Sequence, residues 1–246
     1  IFLITGANSG LAKPIINFLQ DKGSKIICIG RINRFDNQKN IFFYKCNLQN
    51  EDEINLTVNL IKKKFKFLNG FIHFASEGKI GHFSKITKKD FNESYNVNVV
   101  SLFLLTKKLK DLFNSGFKYS KSKSSIVCFS SVYGLEIPDF TIYKSKKFYN
   151  PIQYGCSKSS MIHMIRYLSK NKELKNIKIN SITPGAFPYI NKKFLMSINK
   201  KKLLKKIPMS RFGKPDDVLG PVIFLLSNMS NYVTGTNLVV DGGFTA

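Results

Sequence analysis

The sequence predicts an α/β fold: a doubly wound parallel sheet of seven strands with helices on both faces. Three observations predict it. Short apolar runs alternate with helix-length amphipathic segments along the whole chain. The short runs are almost continuously apolar, which suits strands covered on both faces. A glycine-rich turn sits at the first strand–helix junction. With 246 residues, no repeat and no linker, residues 1–246 read as a single domain.

The first strand, IFLI (1–4), runs into TGANSGLA (Thr5–Ala12) and a helix over 11–22. Gly6 and Gly10 let the backbone turn tightly and approach a ligand. The helix start then offers free N–H groups and a positive dipole to a pyrophosphate. The second strand, KIICIG (25–30), ends in GRIN (Gly30–Asn33). In dinucleotide-binding folds an acidic residue here holds ribose hydroxyls, whereas a basic one accepts a 2′-phosphate. No acid is present, Arg31 follows Gly30, and Arg34 is a second candidate. NADP(H) is therefore favoured, with NAD(H) the alternative.

The third strand is IFFYK (41–45), after which Asn47 is placed to reach an adenine edge. A helix over 51–65 leads to the fourth strand, GFIHF (70–74). A long helix over 90–113 and a surface loop, KYSKSKSS (118–125), precede the fifth strand, SIVCFS (125–130). A helix over 154–171 leads to the sixth strand, IKINSI (177–182). The basic stretch 191–207 spaces Phe194, Leu195, Ile198, Leu203, Leu204 and Ile207 helically, as a lid or a solvated helix. A helix over 215–227 and the strand NLVVD (237–241) close the chain.

Composition narrows the function classes. The net charge is +24, but the lysines are scattered and accompany abundant Asn, Ile and Phe. That mixture suits an AT-rich genome better than a nucleic-acid footprint, and no aromatic-basic or helix-turn-helix pattern accompanies it. The apolar run VIFLL (222–226) is far short of a membrane span. Cys28, Cys46, Cys128 and Cys156 are widely spaced, and three lie in or beside apolar strands. Reduced thiols in a cytoplasmic protein follow, not a disulfide framework or a metal site. The scattered His73, His82 and His163 make no metal site either.

The stretch YGCSK (Tyr154–Lys158) carries chemistry. Positions i and i+4 share one face of a helix. An ammonium held beside a phenol favours phenolate and lowers the phenol's pKa, making a general acid/base.

With these residues in view, the chain resembles the short-chain dehydrogenase/reductase family over essentially its whole length. TGANSGLA is similar to that family's TGxxxGxG turn, with Ala12 in place of the third glycine. Asn98 in YNVNVVSLF, Ser131 in SSVYG, Tyr154 and Lys158 in YGCSK, and TPG (183–185) follow in the family's order. The tail RFGKPDDVLGPVIFLLSN…YVTGTNLVVDGG resembles its C-terminal signature.

The resemblance implies a Rossmann-like fold and hydride transfer between a nicotinamide and a carbonyl or alcohol. Tyr154 would be the acid/base, with Lys158 lowering its pKa and bonding the nicotinamide ribose. Ser131 would position the substrate oxygen, and Asn98 would hold a kink and a relay water. The implied cofactor site comprises Thr5, Gly6, Asn8, Ser9, Gly10, Leu11, Arg31, Asn47, Leu48, Ala75, Tyr154, Lys158, Pro184 and Gly185. A homotetramer or homodimer is implied, packed through the helices that carry Asn98 and Tyr154. The chain departs from the pattern at HFAS (His73–Ser76), where the family has NNAG and only Ala75 matches. His73 reads as packed or hydrogen-bonded rather than catalytic. Asn47 replaces the usual Asp, and Tyr189 lies near a usual Thr.

Ser131 and Tyr154 are 23 positions apart, where about ten fewer are usual in the family, and long extra loops are commonly functional. The extra segment, 138–153, is rich in aromatics and lysine. Its pattern is similar to flagellin-modification and nucleotide-sugar enzymes of the family. A phosphorylated or nucleotide-linked sugar is one substrate expectation, with Lys144, Lys146 and Lys147 meeting the phosphate. A 3-oxoacyl-[acyl-carrier-protein] reductase is the enzymatic alternative, since a basic surface suits an acidic carrier. A catalytically idle cofactor-binding scaffold and a basic nucleic-acid-binding module are the readings from other classes.

Overall fold

Seven strands form one parallel sheet, in the order β3-β2-β1-β4-β5-β6-β7, in the computed structural model, which describes residues 1–36, 38–188 and 196–246. They are β1 (Phe2–Thr5), β2 (Ile26–Gly30), β3 (Ile41–Lys45), β4 (Gly70–His73), β5 (Ser124–Phe129), β6 (Ile177–Pro184) and β7 (Asn237–Val240). The doubly wound α/β expectation is met. Side chains alternate between the two faces of a strand, and each face has its own core. Leu3, Ile27, Phe71, Ile126 and Ile179 pack on one side against α2 (Glu51–Lys64), α4 (Ser101–Lys108) and α6 (Ile152–Ser169). Ile4, Cys28, Ile72, Val127 and Ile182 pack on the other against α1 (Ala12–Asp21) and α8 (Leu219–Leu226). That is why the strands read as continuous apolar runs. Each such side chain contributes roughly 1.5–3 kcal/mol on burial.

The chain begins at β1 in the middle, winds outward through β2 and β3, and returns to β4 on β1's other side. The reversal opens a crevice beyond the carboxyl ends of β1 and β4, where such sheets bind ligands.

The helix expected over 90–113 is not one regular helix. A capping box of Thr87 and Asp90 starts α3 (Lys88–Tyr95). A π-helical turn, Asn96–Val100, joins α3 to α4, and α5 (Lys110–Ser120) follows after a bend at Leu109. The surface loop expected over 118–125 is also corrected: its start is the last turn of α5, and Ser124 and Ser125 begin β5. Two contacts make that connection short. Gly116 sits so close to the Leu68 carbonyl that a Cβ would lie 2.2 Å from its oxygen. Ser124 Oγ donates to the Phe113 and Leu68 carbonyls at 2.7 and 2.9 Å. Lys121, at φ 56°, then ends the helix in the left-handed region. The segment expected over 215–227 is a 3-10 turn at Pro215–Val218 followed by α8.

The extra segment 138–153 does not hang free. Tyr143 pairs antiparallel with Ile198, and Lys144 N–H and Asn199 N–H donate to the Ser197 and Ile142 carbonyls at 2.9 and 2.7 Å. Lys206 meets Asp139 at 2.9 Å. Ile142 and Tyr143 pack with Ile198, Leu203, Ile207 and Phe212 in a third apolar cluster beside α7 (Lys200–Leu204). Tyr189, Phe194 and Leu195 lie outside the described residues. No helix among the described residues is long and apolar enough to cross a membrane.

Candidate active site

Two cavities open at the carboxyl edge of the sheet. The first, about 420 Å³, is lined by Gly6, Asn8, Ser9, Arg31, Asn47, Leu48 and Ala75 among others. Gly6 is at φ 65°, and a Cβ on it would lie 2.5 Å from the Ala75 amide nitrogen. Only glycine fits both the dihedral and the close approach. The turn is closed by Ser9 N–H donating to the Gly6 carbonyl at 2.9 Å, and no side chain caps the start of α1. Leu11 N–H donates to Ser9 Oγ at 3.3 Å, Ala12 N–H donates to the Ser9 carbonyl at 3.0 Å and Pro14 has no N–H, so the helix end offers an anion its dipole more than free donors. Among the described residues neither Arg31 nor Arg34 forms an ion pair, and both line this cavity. Asn47 takes part in a local turn, its N–H donating to Glu53 at 2.8 Å and its Oδ1 accepting from Gln49.

Of the other expected cofactor residues, Leu11, Tyr154, Pro184 and Gly185 line the other cavity instead, and Thr5, Gly10 and Lys158 line neither. Thr5 is fully buried behind the turn, its hydroxyl 2.8 Å from His73 Nδ1. Gly10 is exposed and outside the lining.

The other, a cleft of about 370 Å³, holds Ser131 and Tyr154 with Leu11, Pro184 and Gly185. Gly185 is demanded by packing, since a Cβ would lie 2.6 Å from Asp241 Cα. Ser131 follows β5 and starts a 3-10 turn, with Tyr133 N–H donating to its Oγ at 3.2 Å. Tyr154 lies in the first turn of α6, which Pro151 precedes. Gly78 lies flat against its ring; a Cβ there would be 2.7 Å from Tyr154 Cδ2.

Lys158 is buried one turn further along α6 and lines neither cavity. Its Nζ donates to the Phe129 carbonyl at 2.7 Å and lies 5.5 Å from the centre of the Tyr154 ring. Burial, without a carboxylate partner, pulls the ammonium down to about 8. The expected lowering of Tyr154 by Lys158 is not what acts here. Burial raises the phenol, and hydrogen bonding to the Ser131 and Ser76 hydroxyls opposes it. The reason is geometric: the ammonium lies over the ring and is directed to a backbone carbonyl.

Asn98 sits within the π turn, fully buried. Its Oδ1 accepts from Glu77 N–H at 2.7 Å, and its Nδ2 donates to the Glu77 carbonyl at 2.9 Å and to Ser157 Oγ at 2.7 Å. One amide thus ties the loop after β4 to the helix that carries Tyr154. His73 is fully buried, edge-on to Phe71. Burial and the nearby Lys158 hold it down to about 3 against the pull of the Val97 and Asn98 backbone, so it is neutral at pH 7. It packs and positions, as expected.

Ser76, Gly78 and Ser157 were missed as site residues by sequence reasoning. Ser157 lies inside YGCSK itself, but its partner Asn98 is 59 positions away. The place of Ser76 where the family has glycine was the available signal for the first. The thiols of Cys28, Cys46 and Cys128 are buried and Cys156 is exposed. Among the described residues no three His, Cys, Asp or Glu side chains gather as a metal site.

Comparison with known proteins bears on this geometry. A family profile described as Enoyl-(Acyl carrier protein) reductase matches residues 6–245. The 3-oxoacyl-[acyl-carrier-protein] reductase FabG of Buchnera aphidicola subsp. Acyrthosiphon pisum is 30% identical over 247 residues, covering 98% of this chain and 95% of that protein. The same-named reductase of Thermotoga maritima is 27% identical over 256 residues, covering 99% and 96%. A solved structure of a short chain dehydrogenase from Leptospira borgpetersenii serovar Hardjo-bovis with bound NAD+ superposes with a TM-score of 0.86 at 29% identity, covering 100% of this chain and 92% of that one. The Pseudomonas aeruginosa RhlG/NADP active-site complex shares the fold at a TM-score of 0.84 and 20% identity, covering 99% and 95%.

Proposed function

The chain belongs to the short-chain dehydrogenase/reductase family and is an NAD(P)-dependent oxidoreductase, and from that premise we propose that it reduces 3-oxoacyl thioesters with NADP(H). One observation carries the choice of substrate. Among the described residues lining the Ser131–Tyr154 cleft none is charged, and Leu11, Ile80, Phe148, Phe187, Leu203 and Phe244 make it largely apolar. A 3-oxoacyl group is neutral and apolar. A sugar phosphate would meet no cation among the described lining residues: Lys144, Lys146 and Lys147 are exposed and line no part of the cleft. The sugar expectation therefore finds no support, and the relatives named reductases of carrier-bound 3-oxoacyl groups favour the alternative. The net charge of +24 suits an acidic carrier protein.

The cradle at Gly6, the uncapped start of α1 and the unpaired Arg31 fit a dinucleotide phosphate, and Arg31 favours the 2′-phosphate of NADP(H). A bound nicotinamide supplies the hydride. Tyr154 gives its proton to the substrate's 3-oxo oxygen, which Ser131 Oγ holds from its other side. Burial keeps the Tyr154 hydroxyl protonated at pH 7, as a proton donor must be. Lys158, whose ammonium lies 5.5 Å from the centre of the Tyr154 ring, ties the inner end of the site to the Phe129 carbonyl while it is charged. Asn98 fixes the loop at Glu77 and, through Ser157, the first turn of α6. Self-association through α4, the π turn before it and α6 belongs to the same reading, since Val100, Phe103 and Tyr167 face solvent there.

The test follows NADPH oxidation by purified protein with 3-oxoacyl thioesters and, separately, keto-sugar phosphates. Turnover of thioesters, lost in Tyr154→Phe, is expected. Turnover of the sugar phosphates alone would overturn the proposal. Unchanged turnover in Tyr154→Phe would remove the acid/base role.

A further inference from the structure

A second apolar cavity lies across the wall that bounds the catalytic cleft. It encloses about 670 Å³ against about 370 Å³ for the cleft, and the two share Tyr133, Asn150 and Pro151. The extra segment builds much of it, through Pro138, Phe140 and Tyr149. Phe83, from the connection after β4, and Ile152, at the start of α6, add to the lining.

Its chemistry points to one class of ligand. Phe83 is 74% exposed, Ile137 82%, and Leu135, Phe140 and Ile152 about half, all around this cavity. A soluble chain seldom leaves so much apolar surface together unless something covers it. Among the described residues its lining holds no Lys or Arg to meet an anionic ligand. The wall between the two cavities is formed by Tyr133, Asn150 and Pro151, so a chain extending past that wall from the cleft enters this cavity.

We propose that this cavity receives the alkyl tail of the acyl substrate, so that the chain selects long over short 3-oxoacyl thioesters. The inference rests on the thioester-reductase reading given above. The cleft alone takes the reacting carbons, and the second cavity takes what extends beyond them.

Leu135 lines the second cavity and not the cleft, so Leu135→Trp narrows one and leaves the other. Each methylene excluded from an apolar site lowers affinity about fourfold, equivalent to ~0.8 kcal/mol. The variant should lose at least tenfold in kcat/KM for a 3-oxododecanoyl thioester and stay within about twofold of wild type for acetoacetyl-CoA. Ile137→Asp, at a highly exposed rim position, should repeat the pattern if the tryptophan variant folds poorly. Equal losses for both substrates, or none for the long one, would overturn the proposal.

A second measurement separates the cavity from the activity. Cys156 lines the cavity and is the exposed thiol, whereas Cys28, Cys46 and Cys128 are buried. Dodecanoate should slow maleimide labelling of Cys156 in wild type and not in Leu135→Trp. Protection without thioester turnover would keep the alkyl site and sink the thioester reading. Absence of protection, or a Cys156 that does not label in the free protein, would sink the site.

Discussion

Gly78→Ala should impair catalysis without impairing cofactor binding. Gly78 faces the Tyr154 ring, and an added Cβ would lie 2.7, 3.1 and 3.2 Å from Cδ2, Cβ and Cγ. Non-bonded carbons rest about 3.5–4.0 Å apart, so ring and methyl must separate by about 0.8 Å. Gly78 is not in the left-handed region, so the substitution adds no dihedral strain of its own. The loop is poorly free to retreat, because Asn98 holds Glu77 through both its N–H and its carbonyl. The ring therefore moves relative to Ser131. A displacement near 1 Å at a reacting group costs on the order of 10²-fold in kcat, about 2.7 kcal/mol. The assay is steady-state NADPH oxidation with the best 3-oxoacyl thioester, beside a nicotinamide-fluorescence titration for binding. Gly220→Ala, where nothing lies within 4 Å of the added Cβ, is the control. A Gly78→Ala enzyme within about twofold of wild-type kcat would show that the loop yields rather than the ring, and would refute the positioning argument.

Three further outcomes follow from the same site and core. Arg31→Asp should weaken NADPH at least tenfold, about 1.4 kcal/mol, while NADH binding holds or tightens in the same titration; an unchanged preference would remove Arg31 as the 2′-phosphate partner. Lys158, lowered by burial to about 8, should make kcat/KM for reduction flat near pH 7 and falling as pH rises through about 8; a profile level to pH 9.5 would separate activity from its charge. Lys178 is buried in β6, its Nζ donating to the Leu225 and Ser227 carbonyls and to Ser230 Oγ, and burial lowers it from 10.5 to about 8. Its folded pKa lies below the unfolded one, so the unfolded chain binds more protons between these values and stability contributed by this group rises with pH there. Cys28 and Cys128, pushed up to about 12 by burial, act in the opposite sense. The readout is therefore the difference between wild type and Lys178→Met in urea unfolding, which should move towards wild type from pH 8 to 10; no movement would refute the linkage.

The sheet was legible because its strands are covered on both faces, so burial alone wrote Leu3-Ile4 and Ile26-Ile27-Cys28 as unbroken apolar runs. The two ends of the site were legible because TGANSGLA and YGCSK are local: each motif's chemistry lies within one turn or one junction. What escaped was non-local or irregular. The π turn has no composition of its own, since Asn96–Val100 differs from an α-helix only in hydrogen-bond register. The outward aim of Lys144, Lys146 and Lys147 depends on where Tyr143 pairs, and its partner Ile198 is far along the chain. The continuation of α5 to Ser120 depends on Gly116 meeting Leu68, a contact that a polar, Lys-rich stretch does not announce.

The π turn has a consequence for what lengths of chain are permitted. Each residue rotates an α-helix by about 100°, and a π turn holds one residue beyond the α-helical count. A wider turn rotates each residue less, so the surplus is absorbed within the turn: Asn98 faces Glu77, while Leu102 and Leu105 keep the phase that reaches the core. Removing one codon between Asn96 and Val100 would leave a regular helix that still turns its apolar face to the sheet, without the bulge that carries Asn98. Such a deletion would spare the helix packing and cost the link from Asn98 to Glu77. Here the chain encodes a count as well as identities.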